Sequence, residues 1–109
     1  MFPAKDWVNI EVTVSAYNSR EGKTSITSWG DTLKPGMKVI AVSPDLLKLG
    51  LGYCTEVKIE GLPGTYVVMD KMHPRWEKKI DIYMGTNRKK ALEWGRKKLE
   101  ISYLSSSRE

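Results

Sequence analysis

The chain has 109 residues, 40% of them hydrophobic, which suits one domain with one core and leaves no room for two. Eighteen lysines and arginines against 13 acids give a net charge of +5 and a pI near 9.4, a balance that favours an anionic partner such as nucleic acid, a cell-wall polymer or a membrane surface. No apolar run approaches the roughly 18 residues of a spanning helix, a single cysteine excludes an internal disulfide, and one histidine with one cysteine lacks the spacing of a metal site.

The opening MFPAKDW lacks the basic start, apolar centre and small-residue cleavage site of a signal peptide. Either the protein is not exported or a leader has been removed. Residues 7–17, WVNIEVTVSAY, alternate Val8, Ile10, Val12 and Val14 with Asn9, Glu11, Thr13 and Ser15, which predicts a half-buried strand. Residues 18–36 are polar with glycines and a proline, a loop long enough to be functional or mobile. A buried strand is expected over 37–43. Ser43, Pro44 and Gly50 then read as cap, first turn and stop of a short helix. Cys54 is expected to be a small, half-buried residue.

Strands follow over 55–61 and 64–70, separated by a Leu62-Pro63-Gly64 turn. A basic loop occupies 71–79, and KIDIYM is the next strand. Thr86 caps a short helix ending near Gly95, 99–104 is the last strand, and 105–109 reads as a disordered tail. The domain therefore spans 1–109 with its core over about 7–104. Six short strands, one or two short helices and frequent turn signals predict a mainly β fold, a small closed barrel.

Two aspartates stand out. Asp is depleted in strands and costly to bury without a partner, yet Asp81 sits inside KIDIY, opposite Ile80 and Ile82. Alternation in TYVVMD groups Asp70 with Tyr66 and Val68, against Val67 and Met69. Neighbouring strands would bring both aspartates onto one barrel face. Paired carboxylates are the usual equipment of glycoside chemistry, one giving a proton to the leaving oxygen and the other serving as nucleophile, base or charge stabiliser. Taken alone, Asp70 is better explained as a loop cap or a partner of Lys71 or Arg75.

The motifs GMKVIAVSPDLL, LGLGYCTEVKIEGLPGTYVVMD and KIDIYMG…KKALEWGRKKLEISY resemble the three-aspartate domain of bacterial cell-wall enzymes. That group includes the catalytic part of membrane-bound lytic transglycosylase A and the stationary-phase muralytic proteins. The resemblance covers roughly residues 10–104 and implies a six-stranded double-psi β-barrel that cleaves the glycan strand of peptidoglycan. It implies that Asp81, in the Asp-Ile-Tyr motif, is the catalytic acid and that Asp70, eleven residues earlier, is the second site residue. Tyr17 in SAYNS matches the family's Ala-Tyr strand end beside the groove. Where the family has IAVDP this chain has IAVSP, so Ser43 takes the place of its first aspartate. Asp31 and Lys34 in SWGDTLKPG stand where the family carries a loop lysine or a Gly-Asp pair. The loop DKMHPRWEKKID puts Trp76 and His73 beside the site.

A lytic transglycosylase reading follows, with an inward-facing Asp81 as acid and then base, Asp70 orienting the sugar, and Trp29, Trp76 and Tyr83 available to stack on sugar faces. Trp94 is expected in the core instead. The expected partner is a peptidoglycan glycan strand, in the cell envelope if a leader has been removed, bound by a monomer that needs no metal or other cofactor. A non-catalytic glycan-binding module on the same barrel is the alternative, favoured by Ser43. Nucleic-acid binding is a third and weaker possibility. Residues 71–98 hold ten lysines and arginines against three acids, but no nucleic-acid motif accompanies them and no such partner is expected.

Overall fold

The computed structural model describes residues 5–19 and 25–106. Its elements in chain order are β1 (Lys5–Tyr17), β2 (Ser25–Ile26), β3 (Thr32–Leu33), β4 (Val39–Val42), α1 (Pro44–Lys48), β5 (Glu56–Ile59), β6 (Tyr66–Lys71), β7 (Lys79–Tyr83), α2 (Arg88–Trp94) and β8 (Lys97–Ser106). The fold is mainly β. Six strands hydrogen-bond in a closed ring, in the order β1-β7-β4-β6-β5-β8. Two pairs in the ring are parallel, β1 with β7 and β4 with β6, and the other four are antiparallel.

Alternation decides what fills the ring. Val12 and Val14 of β1, Ile40 and Val42 of β4, Val57 and Ile59 of β5, Val68 of β6, Ile80 and Ile82 of β7, and Ile101 and Tyr103 of β8 meet inside it, each almost wholly buried. Each such side chain contributes on the order of 1.5–3 kcal/mol by leaving water. Leu46 of α1 and Leu51 complete this core, and Trp94 packs at its edge, as expected, with its indole N–H donating to the Val14 carbonyl at 3.2 Å.

Several boundaries differ from the sequence reading. β1 and β8 pair over ten consecutive residues, from Lys5 opposite Ser106 to Val14 opposite Lys97. Ser105 and Ser106 are therefore strand rather than tail, and 107–109 lie outside the described residues. The loop predicted over 18–36 contains the two-residue ribbon of β2 and β3, with 20–24 outside the described residues. Asn87, not Thr86, caps α2: its side chain accepts the Lys90 amide at 2.9 Å. Ser43 occupies the cap position of α1 but makes no side-chain cap bond. Cys54 is exposed rather than half-buried, with a left-handed φ of 69°.

Candidate active site

The site is built on the outer face of the ring, opposite the core. Ala41 of β4 pairs with Asp70 of β6 on one side and with Asp81 of β7 on the other, and Asp81 pairs in turn with Ser15 of β1. Asp70, Ala41, Asp81 and Ser15 thus form one row across four strands. The Ser15 hydroxyl donates to the Asp81 carboxylate, so the mid-strand aspartate has the partner its half-buried position requires. Two sequence expectations change here. β6 and β7 are not neighbours, because β4 lies between them. Asp81 also faces away from the ring interior, since Ile80 and Ile82 on either side fill it.

Asp70 reaches this face through an irregularity. The β4–β6 register shifts between Ile40 and Ala41, so that Ile40 pairs with Val68 while Ala41 pairs with Asp70. Met69 is the extra residue of a bulge, which re-aims the side chain that follows it. Simple alternation would group Asp70 with Val68, which is buried in the core. Instead its Oδ1 accepts the amide of Ser28 at 2.9 Å and that of Lys71 at 2.8 Å. Ser28 belongs to the turn after β2, closed by Thr27 N–H to the Asp31 carbonyl at 2.8 Å and Asp31 N–H to the Thr27 hydroxyl at 3.0 Å. Asp70 is the anchor of that turn.

Tyr17 ends β1 opposite Tyr83, with ring centroids 5.5 Å apart. Leu33, Val39, Met37 and Met69 pack with these rings into a small second core under the β2–β3 ribbon. The Tyr17 hydroxyl is buried and has no hydrogen-bond partner among the described residues. Burial first, then the negative charges of Asp70 and Asp81 and the neighbouring Tyr83, push its ionisation well above the usual tyrosine range. On β1 Tyr17 follows Ser15 by two residues, on the same side of the strand.

The other predicted residues distribute unequally. Tyr83 is 4% exposed, and its hydroxyl is shared with Ser19 at 2.9 Å, so it supports Tyr17 from below. Ser43 is fully buried, its hydroxyl accepting the Lys79 amide at 3.0 Å, which commits it to the β4–β7 backbone. Asp45, two residues on, accepts the Lys78 amide at 2.9 Å. Asp31 accepts the Tyr53 hydroxyl at 2.9 Å. Lys34 is exposed in the turn after β3, where its amide meets the Met37 sulfur, and no hydrogen bond among the described residues joins it to the aspartates. Trp76 lies among cations, with Lys79 Nζ 3.8 Å from its ring centroid and the Arg75 and Arg96 guanidinium groups at 4.8 and 5.6 Å.

Sequence reasoning passed over three residues of this region. Ser15 was visible only as a polar position in an alternating strand. Lys79 is 7% exposed on the same face of β7 as Asp81, and a lysine in a basic run gives no sign of that. Tyr53, in the turn GLGYC, carried no signal at all, because its contact with Asp31 spans 22 residues.

The aspartate row is partly covered, with Asp70 and Asp81 half-buried and Ala41 and Ser15 buried. A cavity of about 270 Å3 lined by Met37, Lys38, Tyr66, Met84, Lys90 and Trp94 contains neither Asp70 nor Asp81. Among the described residues no three of the His, Cys, Asp and Glu side chains converge to hold a metal ion, and no helix is long and apolar enough to cross a membrane. No protein-family model and no curated protein matches the chain.

Proposed function

We propose that the chain is a three-aspartate-type double-psi β-barrel that cleaves peptidoglycan glycan strands as a lytic transglycosylase. The observation that carries this reading is the row that aligns Asp70 and Asp81 on the outer face of the ring, with Tyr17 two residues beyond Ser15 on β1 and its buried hydroxyl without a partner among the described residues. The two parallel strand pairs within a six-strand ring support the fold assignment. A wall substrate places the protein in the cell envelope, acting as a monomer.

The spacing of the row does not suit an acid and a nucleophile acting on one sugar carbon. Asp70 and Asp81 are separated by the whole of β4, so their backbones are about 10 Å apart, two strand spacings. A nucleophile and acid that attack one sugar carbon need carboxyl groups only about 5–5.5 Å apart. Asp70 is moreover held by two backbone amides, that of Ser28 in the turn after β2 and that of the adjacent Lys71. The chemistry therefore falls to Asp81. It gives its proton to the glycosidic oxygen, the leaving sugar departs as an alcohol, and positive charge develops at the anomeric carbon. The resulting carboxylate takes the proton of the same sugar's C6 hydroxyl, whose oxygen closes on that carbon to form a 1,6-anhydro ring. One acid used twice needs no water. Ser15 fixes one carboxyl oxygen and leaves the other for the sugar.

Digestion of purified peptidoglycan by the wild type and by Asp81→Asn, with soluble products read by mass spectrometry, tests this. Anhydro-sugar ends from the wild type and none from the variant are expected, a loss of about 10²–10⁴-fold. Products that carry an added water would make the enzyme a hydrolase. A second reading, a non-catalytic glycan-binding module, is favoured by Ser43: the place of the family's first aspartate is held by a buried hydroxyl committed to the Lys79 backbone. Sedimentation with the wall without release of any product would establish it.

A further inference from the structure

The turn after β2 presents an aromatic step that the aspartate row does not use. Trp29 is 38% exposed and Tyr53 47% exposed, and their rings meet edge to face with centroids 5.1 Å apart. Single exposed apolar residues are ordinary on any surface. This pair is different because hydrogen bonds hold the turn that carries Trp29 and tie Tyr53 to it. Asp70 holds the residue before Trp29, and the Thr27–Asp31 bonds close the turn on both sides. The Tyr53 hydroxyl donates to Asp31 Oδ1 at 2.9 Å and is pushed up to about 12 in its ionisation, first by that bond. The other oxygen, Asp31 Oδ2, is buried with no partner among the described residues.

Two partly exposed rings beside a carboxylate oxygen without a partner among the described residues match the two halves of a pyranose. Its C–H face is apolar and lies against aromatic rings, while its hydroxyls donate to charged acceptors placed at the edge. A buried acceptor left empty costs free energy, and a ligand hydroxyl removes that cost. We propose that Trp29, Tyr53 and Asp31 form a sugar subsite, one that binds a ring of a glycan strand on the Asp70 side of the row and away from the bond facing Asp81. This rests on the glycan reading above and extends it. Asp70 then has a positioning role, joining the subsite to the acid by holding Ser28.

Titration of 15N-labelled protein with tetra-N-acetylchitotetraose, followed through the four indole N–H signals, tests the subsite without requiring cleavage. The Trp29 signal, identified by its loss in Trp29→Phe, is expected to shift saturably. Affinity is expected to fall about tenfold in Asp31→Asn, which keeps the turn but weakens the acceptor, and further in Trp29→Ala. A Trp29 signal that stays fixed at saturating sugar, or undiminished binding by Trp29→Ala, would overturn the subsite. The two proposals fail separately. Peptidoglycan cleavage with an unmoved Trp29 signal leaves the enzyme and removes the subsite, whereas a saturable Trp29 shift without any wall cleavage leaves the subsite and removes the enzyme.

Discussion

Replacing Tyr17 by Phe removes one oxygen and nothing else. The ring keeps its packing against Tyr83 and the small second core, so the apolar area buried is unchanged. What disappears is a buried hydroxyl without a partner among the described residues. Such a group costs about 1–3 kcal/mol. Tyr17→Phe should therefore stabilise the protein, by about 1 kcal/mol, which raises Tm by roughly 4–8 °C at this size. Tyr83→Phe is the matched control. Its hydroxyl is bonded to Ser19 at 2.9 Å, so its loss should destabilise by about 0.5–1.5 kcal/mol. Urea unfolding followed by circular dichroism at pH 7 measures both, as shifts of midpoint at constant m. The alkaline limb supplies a second reading. Burial, then Asp70, Asp81 and Tyr83, favour the neutral phenol in the folded protein. That contribution is whole below the unfolded value near 10 and is lost as pH rises past it toward the higher folded value. Tyr17→Phe should flatten the fall in stability above pH 10. A midpoint lowered in Tyr17→Phe as much as in Tyr83→Phe would refute the reasoning, because it would mean the Tyr17 hydroxyl is satisfied in the resting protein.

Asp70→Asn halves the acceptor strength at the turn, and hydrogen exchange should quicken at Ser28 and Lys71 by about tenfold while the ring amides hold; equal exchange would detach Asp70 from the turn. Asp45 is pushed up by burial but pulled down further by hydrogen bonds from Ser43, Lys78 and the local backbone, so its pKa lies below the ordinary value of 3.8. Its contribution is present above that value and lost as pH falls below it. Unfolding midpoints at pH 6 and pH 3 should therefore differ less in Asp45→Asn than in the wild type. Tyr53 should titrate near pH 12 by absorbance at alkaline pH, and Asp31→Asn should return it toward 10.

The sequence disclosed most of what depends on neighbours along the chain. The alternation of Val8 to Val14 gave β1 its inner face, and that of KIDIY set Asp81 opposite Ile80 and Ile82, although the expectation turned Asp81 inward and the structure turns the two isoleucines inward instead. What escaped depended on residues far apart. The place of β4 between β6 and β7 is a matter of which strands pair, and local pattern is silent on it. The bulge at Met69 overturned the alternation that grouped Asp70 with Val68, and a bulge of that kind leaves no compositional mark. Ser43 has the right residue type and position for a cap, yet the Lys79 amide, 36 residues away, took its hydroxyl. Thr86 and Asn87 are both good caps, and only the course of the chain into α2 chose between them.

The pairing of β8 also bears on how the protein is made. β8 closes the ring by binding β1 along ten residues and β5 along three more. Until it emerges from the ribosome, β1 and β5 each present a bare edge with apolar side chains behind it, the arrangement that invites pairing with another chain. Closure joins Lys5 to Ser106, so the last contacts to become available are also among the most extensive, and folding must wait for them. A chain stopped within α2 would hold every residue of the aspartate row and still lack the strand that makes the face behind it a closed wall.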